Sequence, residues 1–198
     1  ELGKINGKEY IVKTIVTTET IKTIAERNGV EMYDVYTGFK WIANVMRENE
    51  GKKNYIGGGE ESYGFLCEDF VRDKDAVSAC VILAEIAAWA KDQGLSLYQL
   101  LQKIYVEYGF SKEKGISVVK KGKSGAEEIE AMMKKFRENP LTEIAGSKVT
   151  YFYDYSTLKG KDYAENETVT LDMPTTSNVL QYFTEDNTKV SILSLIHI

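Results

Sequence analysis

Residues 57–64 (GGGEESYG) carry the residue types best suited to bind a small polar molecule. Three glycines leave the backbone without side chains, so another molecule can approach it closely. If the chain stays extended past the glycines, Glu60 and Ser62 lie on one side, because side chains alternate in direction along a strand. A carboxylate and a hydroxyl placed in this way can hold two neighbouring hydroxyls of a sugar. The alternative is a solvated surface turn, since short motifs often match by chance.

Composition and charge narrow the classes of partner. The net charge of −5 and the isoelectric point of about 5.2 argue against nucleic acid or an anionic membrane as the main partner. The longest apolar run, 76–90, is interrupted by Ser78 and Glu85. It is shorter than the roughly 20 residues of a membrane span, so we predict a buried helix there. The polar first ten residues predict no secretory signal.

Two cysteines bear on the compartment. Cys67 and Cys80 are too few to form a disulfide framework, which favours a reducing cytoplasm. Cys80 falls inside the predicted helix at 76–90, and we expect it to be a small buried apolar residue.

Hydrophobic periodicity and turn residues predict alternating strands and helices in the first part of the chain. Asp73 and Ser96 are the expected N-caps of the last two helices. The predicted elements are a strand at 10–17, a helix from 18 or 19 to 28, a strand at 31–35, a helix at 39–48, a strand at 54–57, and helices at 75–93 and 97–108. This order is typical of a three-layer mixed α/β domain, assigned to residues 1–110.

The pattern changes after residue 108, and we place the domain boundary between residues 108 and 114. A basic turn at 120–124 and a charged loop at 156–166 separate the later elements. These are a strand at 116–120, a helix at 125–138, and strands at 148–153, 168–171, 179–183 and 189–192. Residues 111–198 therefore predict an incomplete α+β domain with an antiparallel sheet.

Four stretches together resemble the α-D-phosphohexomutases, the family of phosphoglucomutases and phosphomannomutases. They are 35–40 (VYTGFK), 59–64 (GEESYG), 71–75 (VRDKD) and 104–109 (IYVEYG), in the family's order and spacing. The similarity runs from about residue 10 to residue 192, and the most similar branch is that of phosphoglucomutases resembling phosphopentomutases.

The resemblance implies a part of a larger enzyme. Family members have four domains around a cleft, and this chain resembles the third domain and most of the fourth. The implied parent protein is an intramolecular phosphotransferase that interconverts glucose 1-phosphate and glucose 6-phosphate through a phosphoserine and glucose 1,6-bisphosphate. The phosphoserine loop and the Mg²⁺ loop are expected in N-terminal domains outside this chain. We therefore expect the chain alone to be inactive.

The resemblance also implies roles for individual residues. Glu60 and Ser62 are expected to hold the 3- and 4-hydroxyls of the sugar. Thr37 and Gly38 open a helix, where free N–H groups favour an oxygen ligand. Lys74 is expected to contact the sugar and to assist proton transfer. No other catalytic residue and no metal ligand are expected in this chain.

Other polar and aromatic residues near these stretches have simpler interpretations. Lys40 and Arg72 are interpreted as solvated charges. Tyr36, Tyr63 and Phe65 could stack on a sugar, but aromatics in strands and loops are more often part of the packing.

Several alternatives stay open at this level. A phosphomannomutase, a phosphopentomutase or a non-catalytic sugar-phosphate-binding module would share this recognition loop. The family's phosphate-binding loop should follow Ile192, where the chain instead reads LSLIHI at 193–198. We interpret that tail as a frameshift or an artefact of a truncated gene. His197, the only histidine, lacks a partner motif that would make it a general base.

Overall fold

The computed structural model describes residues 5–194 and divides the chain into two units, with the division between Lys114 and Gly115. The first unit contains β1 (Glu9–Thr14), α1 (Thr20–Arg27), β2 (Glu31–Val35), α2 (Phe39–Asn49), β3 (Asn54–Gly59), β4 (Phe65–Cys67), α3 (Ala76–Asp92) and α4 (Leu97–Tyr108). The second contains α5 (Gly122–Glu138), β5 (Glu143–Ile144), β6 (Ser147–Asp154), β7 (Lys159–Asp162), β8 (Glu167–Thr170), β9 (Val179–Thr184) and β10 (Lys189–Leu193).

The sheet of the first unit is mixed, with strand order β2-β1-β3-β4. β1 pairs in parallel with β2 and β3, and β4 pairs antiparallel to β3. The connections through α1 and α2 run in opposite directions along the sheet. Right-handed crossovers therefore put these helices on opposite faces. This arrangement confirms the predicted three-layer α/β fold.

The core under α2 fixes where that helix begins. Alternate residues of the strands, Tyr10, Val12 and Val35 among them, point to one face and are buried. Phe39, Ile42 and Met46 recur at helical spacing and pack on that face, together with Val45, Tyr55 and Leu66. The first turn of α2 is thereby held at the edge of the sheet where β1 and β2 end.

The third helix, which we predicted to be buried, is largely exposed. α3 packs against β4 and α4, and Ala90 is its only buried residue. Its exposed large apolar side chains are Val77, Val81, Leu83, Ile86 and Trp89. Cys80 is exposed as well, which corrects the expectation of a buried thiol. A helix that is apolar almost all round has more apolar surface than two neighbouring elements can cover. Within residues 5–194 no helix combines the length and apolar character that crossing a bilayer requires.

The second unit is an antiparallel sheet with one long helix, as predicted. Its strand order is β10-β9-β6-β7-β8, and β5 pairs with β6. Met133 and Phe136 of α5 join Val149, Leu180 and Tyr182 in its apolar core. Residues 195–198, including His197, lie outside the described residues, while β10 continues through Leu193.

Two local predictions for this unit are wrong. Residues 116–120 do not form a strand, and Ile116, Val118 and Val119 are exposed. β-branched residues favour a strand only where a neighbouring strand and a buried face are available. The loop predicted at 156–166 contains β7, which pairs with both β6 and β8.

Candidate functional site

Residues 60–64, the second part of the glycine-rich motif, form the turn of a β-hairpin between β3 and β4. β3 runs through Gly59, and β4 begins at Phe65. The Glu60 N–H donates to the Gly64 carbonyl at 2.7 Å and closes the turn. The extended chain that would place Glu60 and Ser62 on one side is absent, because residues 61 and 62 belong to this turn. Ser62 is exposed in this turn.

The glycines of β3 serve the packing of the chain itself. A Cβ added at Gly58 would lie 2.3 Å from the Val12 carbonyl oxygen and 2.7 Å from the Tyr55 hydroxyl. A Cβ at Gly59 would lie 2.8 Å from the Gly64 carbonyl oxygen. The missing side chains of Gly58 and Gly59 thus allow β1 and the hairpin turn to lie close to β3. From the sequence we expected them to make room for another molecule.

Glu60 is oriented by the start of α2. The N–H of Gly38, the N-cap residue, donates to Glu60 Oε1 at 2.6 Å. Gly38 has φ 121°, a left-handed conformation that glycine adopts without steric cost. The first N–H groups of a helix have no partner within it, and the helix dipole favours a negative charge there. The site therefore holds a half-buried carboxylate in one orientation.

Lys74 lies beside the same carboxylate. A Cβ at Gly64 would lie 2.7 Å from Glu60 Oε2 and 3.3 Å from Lys74 Cδ, so the two side chains lie next to each other over the bare Gly64. The Lys74 ammonium lies 5.8 Å from the centre of the Phe39 ring, within the range of a cation–π contact. It also lies 3.0 Å from Asp73 Oδ1, and this hydrogen bond lowers the pKa of the Asp73 carboxyl.

The N-cap of α3 differs from the predicted one. Asp75, and not Asp73, caps the helix, because its carboxylate accepts from the N–H groups of Val77 at 3.3 Å and Ser78 at 2.9 Å. The Ser78 contact is the main cause of the lowered pKa of Asp75. Lys74 consequently precedes the helix, and its side chain lies against Gly64 of the hairpin turn.

Glu61 is held by threonines, a set of contacts that the sequence analysis did not single out. Its Oε2 accepts from the hydroxyls of Thr14 at 2.8 Å and Thr17 at 3.4 Å. Its Oε1 accepts from Thr37 at 3.4 Å. The only signal in the sequence is three hydroxyl residues: Thr14 at the end of β1, Thr17 three residues later and Thr37 two residues after β2.

An open pocket of about 610 Å³ adjoins Gly38 and Lys74. Four cations and one carboxylate line it, which makes it locally positive although the whole chain is acidic. Each of these cations has a partner within the chain: Arg72 pairs with Glu50 at 2.8 Å and Lys74 with Asp73 at 3.0 Å. Arg47 donates to Asn44 Oδ1 at 2.7 Å, and the Lys40 ammonium lies 5.1 Å from the Trp41 ring centre. The charged residues of the wall are Lys40, Arg47, Arg72, Asp73 and Lys74.

Comparison with known proteins decides the family. A family model described as phosphoglucomutase/phosphomannomutase, alpha/beta/alpha domain III, matches residues 1–108. The chain belongs to the phosphoglucomutase/phosphomannomutase family. It is 36% identical over 168 residues to a phosphoglucomutase of Staphylococcus haemolyticus, covering 85% of this chain and 30% of that protein. It is 40% identical over 169 residues to a phosphoglucomutase of Staphylococcus aureus strain bovine RF122, covering 85% of this chain and 29% of that protein.

The chain thus spans about 30% of the length of the curated phosphoglucomutases it matches. Its fold is also similar to a crystal structure of Paramecium parafusin, a phosphoglucomutase and exocytosis-sensitive phosphoprotein, in an open form. That match has a TM-score of 0.53 and 17% identity and covers 91% of this chain and 29% of parafusin. At this identity the likeness shows the fold alone.

The three aromatic residues considered for stacking on a sugar, Tyr36, Tyr63 and Phe65, differ in how far they are buried. Tyr36 is buried against Trp41, with ring centres 5.8 Å apart, and burial raises its pKa to about 12. Tyr63, at the tip of the hairpin turn with φ 68°, is fully exposed, so the packing interpretation is wrong for it. Phe65 is partly exposed.

The described residues do not fit a magnesium site. Over residues 5–194 no three or more His, Cys, Asp or Glu side chains converge closely enough to hold a metal ion. The carboxylates of the site already have protein donors: Glu60 accepts from Gly38, and Glu61 accepts from threonines.

Proposed function

We propose that the protein containing this chain interconverts glucose 1-phosphate and glucose 6-phosphate, and that this chain supplies its sugar-recognition site. The observation that carries the proposal is the Glu60 carboxylate, oriented by the Gly38 N–H and next to Lys74. The names of the two staphylococcal relatives reported above, both phosphoglucomutases, support the choice of reaction.

The geometry suits the recognition of ring hydroxyls. Glu60 Oε1 is occupied by the Gly38 N–H, whereas Oε2 faces Gly64 and the Lys74 side chain. That oxygen can accept from one or two sugar hydroxyls, and the Lys74 ammonium can donate to a neighbouring sugar oxygen. Ser62 and Thr37 supply further hydroxyls. A site built from such groups discriminates against sugars that lack or misplace a hydroxyl, because its polar groups would then lose their partners.

The positive pocket suits a phosphorylated sugar. Lys40, Arg47 and Arg72 raise the local potential next to the recognition turn, and this favours an anionic ligand over a neutral sugar. Lys74 is proposed to touch the sugar and to assist proton transfer, as the family resemblance implies. The same contacts would serve both glucose 1-phosphate and glucose 6-phosphate, since ring hydroxyls are common to them.

The phosphoryl transfer itself is assigned to other parts of the protein. We propose that a phosphoserine and Mg²⁺ belong to domains outside this chain, with glucose 1,6-bisphosphate as the intermediate. Mg²⁺ would stabilise the negative charge that develops on the transferred phosphoryl group. This chain alone is then expected to turn over no sugar phosphate. Cys67 and Cys80 are both free thiols, which supports a cytoplasmic protein.

A binding titration tests the proposal. The purified 198-residue chain is titrated with glucose 1-phosphate by NMR, as wild type, as Glu60→Gln and as the control Glu85→Gln, which changes an exposed acid on α3. We expect Glu60→Gln to weaken binding roughly 10- to 100-fold, the range for a hydrogen bond to a charged group, and the control to bind like wild type. Equal affinity of wild type and Glu60→Gln would contradict the proposal.

A second measurement decides the substrate. The protein with all its domains is assayed with glucose, mannose and ribose 1-phosphates. Fastest turnover of glucose 1-phosphate is expected. Preference for mannose or ribose 1-phosphate would instead indicate a phosphomannomutase or a phosphopentomutase, and turnover of none would indicate a non-catalytic module.

A further inference from the structure

We infer that Glu61 is a positioning residue that ties the hairpin turn to the ends of β1 and β2 and thereby fixes the location of Glu60. This inference rests on the proposed function of Glu60 in sugar recognition. Its basis is the set of three hydroxyl donors around one carboxylate: Thr14 at 2.8 Å, Thr17 at 3.4 Å and Thr37 at 3.4 Å.

The strongest of these contacts anchors Glu61 to the centre of the sheet. Thr14 is completely buried at the end of β1, the strand that pairs with both β2 and β3. Its hydroxyl also lies 2.9 Å from the Thr17 hydroxyl. A buried hydroxyl needs hydrogen-bond partners, and a bond to a charged acceptor is stronger than one between neutral groups. The Thr14–Glu61 bond therefore joins an exposed turn to a rigid strand 47 residues away in the sequence.

The second tie couples the two adjacent carboxylates. Thr37 donates to Glu61 through its hydroxyl, and the next residue, Gly38, donates to Glu60 through its backbone N–H. One turn at the start of α2 thus holds both glutamates. With Glu61 also bound to Thr14, the hairpin turn is fixed at two points, and Glu60 can keep its short 2.6 Å contact with Gly38.

The same contacts separate the roles of the two glutamates. Both oxygens of Glu61 accept from threonines of the chain, whereas Glu60 has an oxygen directed towards Gly64 and Lys74. Glu61 therefore acts on the ligand through Glu60, without contacting it. Order of this kind before binding raises affinity, because the loop loses less conformational entropy when the ligand arrives.

Hydrogen exchange and binding together test this inference. The variants of the full 198-residue chain are Glu61→Gln, Thr14→Val, the conservative Thr14→Ser, and the control Glu85→Gln. Exchange of the Glu60 amide, which donates to Gly64 in the wild type, reports the order of the turn without any ligand. Glucose 1-phosphate affinity is measured in parallel, and thermal unfolding shows whether each variant is folded.

We expect Glu61→Gln and Thr14→Val each to speed exchange of the Glu60 amide by about 10-fold and to weaken binding by a similar factor. In the double variant Glu61→Gln/Thr14→Val, the Glu60 amide should exchange no faster, and the chain should bind glucose 1-phosphate no more weakly, than in either single variant. Thr14→Ser should keep the wild-type exchange rate and affinity. Unchanged exchange in Glu61→Gln would overturn the inference, as would lost affinity in Glu61→Gln with wild-type affinity in Thr14→Val. If the wild-type chain binds no sugar phosphate, the proposed function fails, while the exchange data still decide the role of Glu61. Glu61→Gln changes an exposed residue and so keeps the test valid if Thr14→Val does not fold.

Discussion

Replacing Gly58 with alanine should destabilise the first unit more than any neighbouring glycine substitution in β3. The new Cβ would lie 2.3 Å from the Val12 carbonyl oxygen, roughly 1 Å inside ordinary van der Waals contact. The obstructing atom belongs to the backbone of the central strand β1, so it cannot turn away as a flexible side chain could. The hydroxyl of the buried Tyr55 would lie 2.7 Å from the same position, which is also too close.

The size of the effect follows from opposing contributions. Overpacking of a well-packed interior costs about 1–3 kcal/mol, and separation of β1 from β3 weakens backbone hydrogen bonds as well. The lower chain entropy of unfolded alanine offsets about 0.4–1 kcal/mol of this. We therefore expect Gly58→Ala to lower the free energy of unfolding of the first unit by about 2 kcal/mol. For a unit of this size that corresponds to a fall in Tm of roughly 8 °C.

Tryptophan fluorescence during urea unfolding isolates this unit, because both tryptophans of the chain, Trp41 and Trp89, lie in it. Gly57→Ala is the matched control. A Cβ there would meet the Leu66 carbonyl oxygen at 3.4 Å and the Phe65 ring at 3.8 Å, so we expect a change within about 0.5 kcal/mol. If Gly58→Ala unfolds at the same urea concentration as Gly57→Ala, the reasoning from the close approach of β1 and β3 is refuted.

Three further predictions concern caps, the site and pH. Asp75→Ala should lower the free energy of unfolding of the first unit by about 1 kcal/mol, because α3 loses its N-cap. The control Asp73→Ala, measured by the same fluorescence assay, should have no effect. Equal losses in the two variants would contradict the assignment of the cap. Gly64→Ala should weaken glucose 1-phosphate binding, because the new Cβ would displace the Glu60 carboxylate and the methylene chain of Lys74. Both side chains are flexible, so we expect little change in Tm. Unchanged affinity in the titration would count against this site. Hydrogen bonds from the Thr184 hydroxyl, and then from the Thr188 N–H, lower the pKa of Asp186 from 3.8 to about 2. A folded pKa below the unfolded one stabilises the protein above about pH 4, and this contribution is lost as the pH falls towards 2. The stability difference between wild type and Asp186→Asn, followed by circular dichroism, should therefore shrink over that range, and a constant difference would contradict the cause given.

Local signals in the sequence were sufficient for the larger elements. α4 begins after Ser96, whose reciprocal bonds with Gln99 form a capping box, and its bounds agree with the prediction. The predicted bounds of β2 agree with the structure, and α2 begins at the predicted residue and ends one residue beyond the predicted one. By contrast, β4 has three residues and depends on pairing with β3, so no periodicity could reveal it. The false strand at 116–120 has the opposite cause: its β-branched residues have the propensity without a partner.

Some members of the candidate site could be proposed from the sequence, but its geometry could not. Gly38, Glu60 and Lys74 came from short motifs, and the structure brings them together; their roles towards a sugar stay predictions. The bond between Thr14 and Glu61 spans 47 residues and exists only because β1 lies next to β3. The reversal of the chain after Glu60 likewise depends on β4. A pattern of residues cannot reveal such contacts until the order of the strands is known.

The exposed apolar surface of α3 limits the protein concentration at which these experiments can be run. Five large apolar side chains of α3 are exposed to solvent, and such a surface favours self-association of the chain at high concentration. Titrations with sugar phosphate therefore belong at low protein concentration, with sedimentation velocity run alongside. A fall in the free monomer would otherwise imitate a loss of affinity.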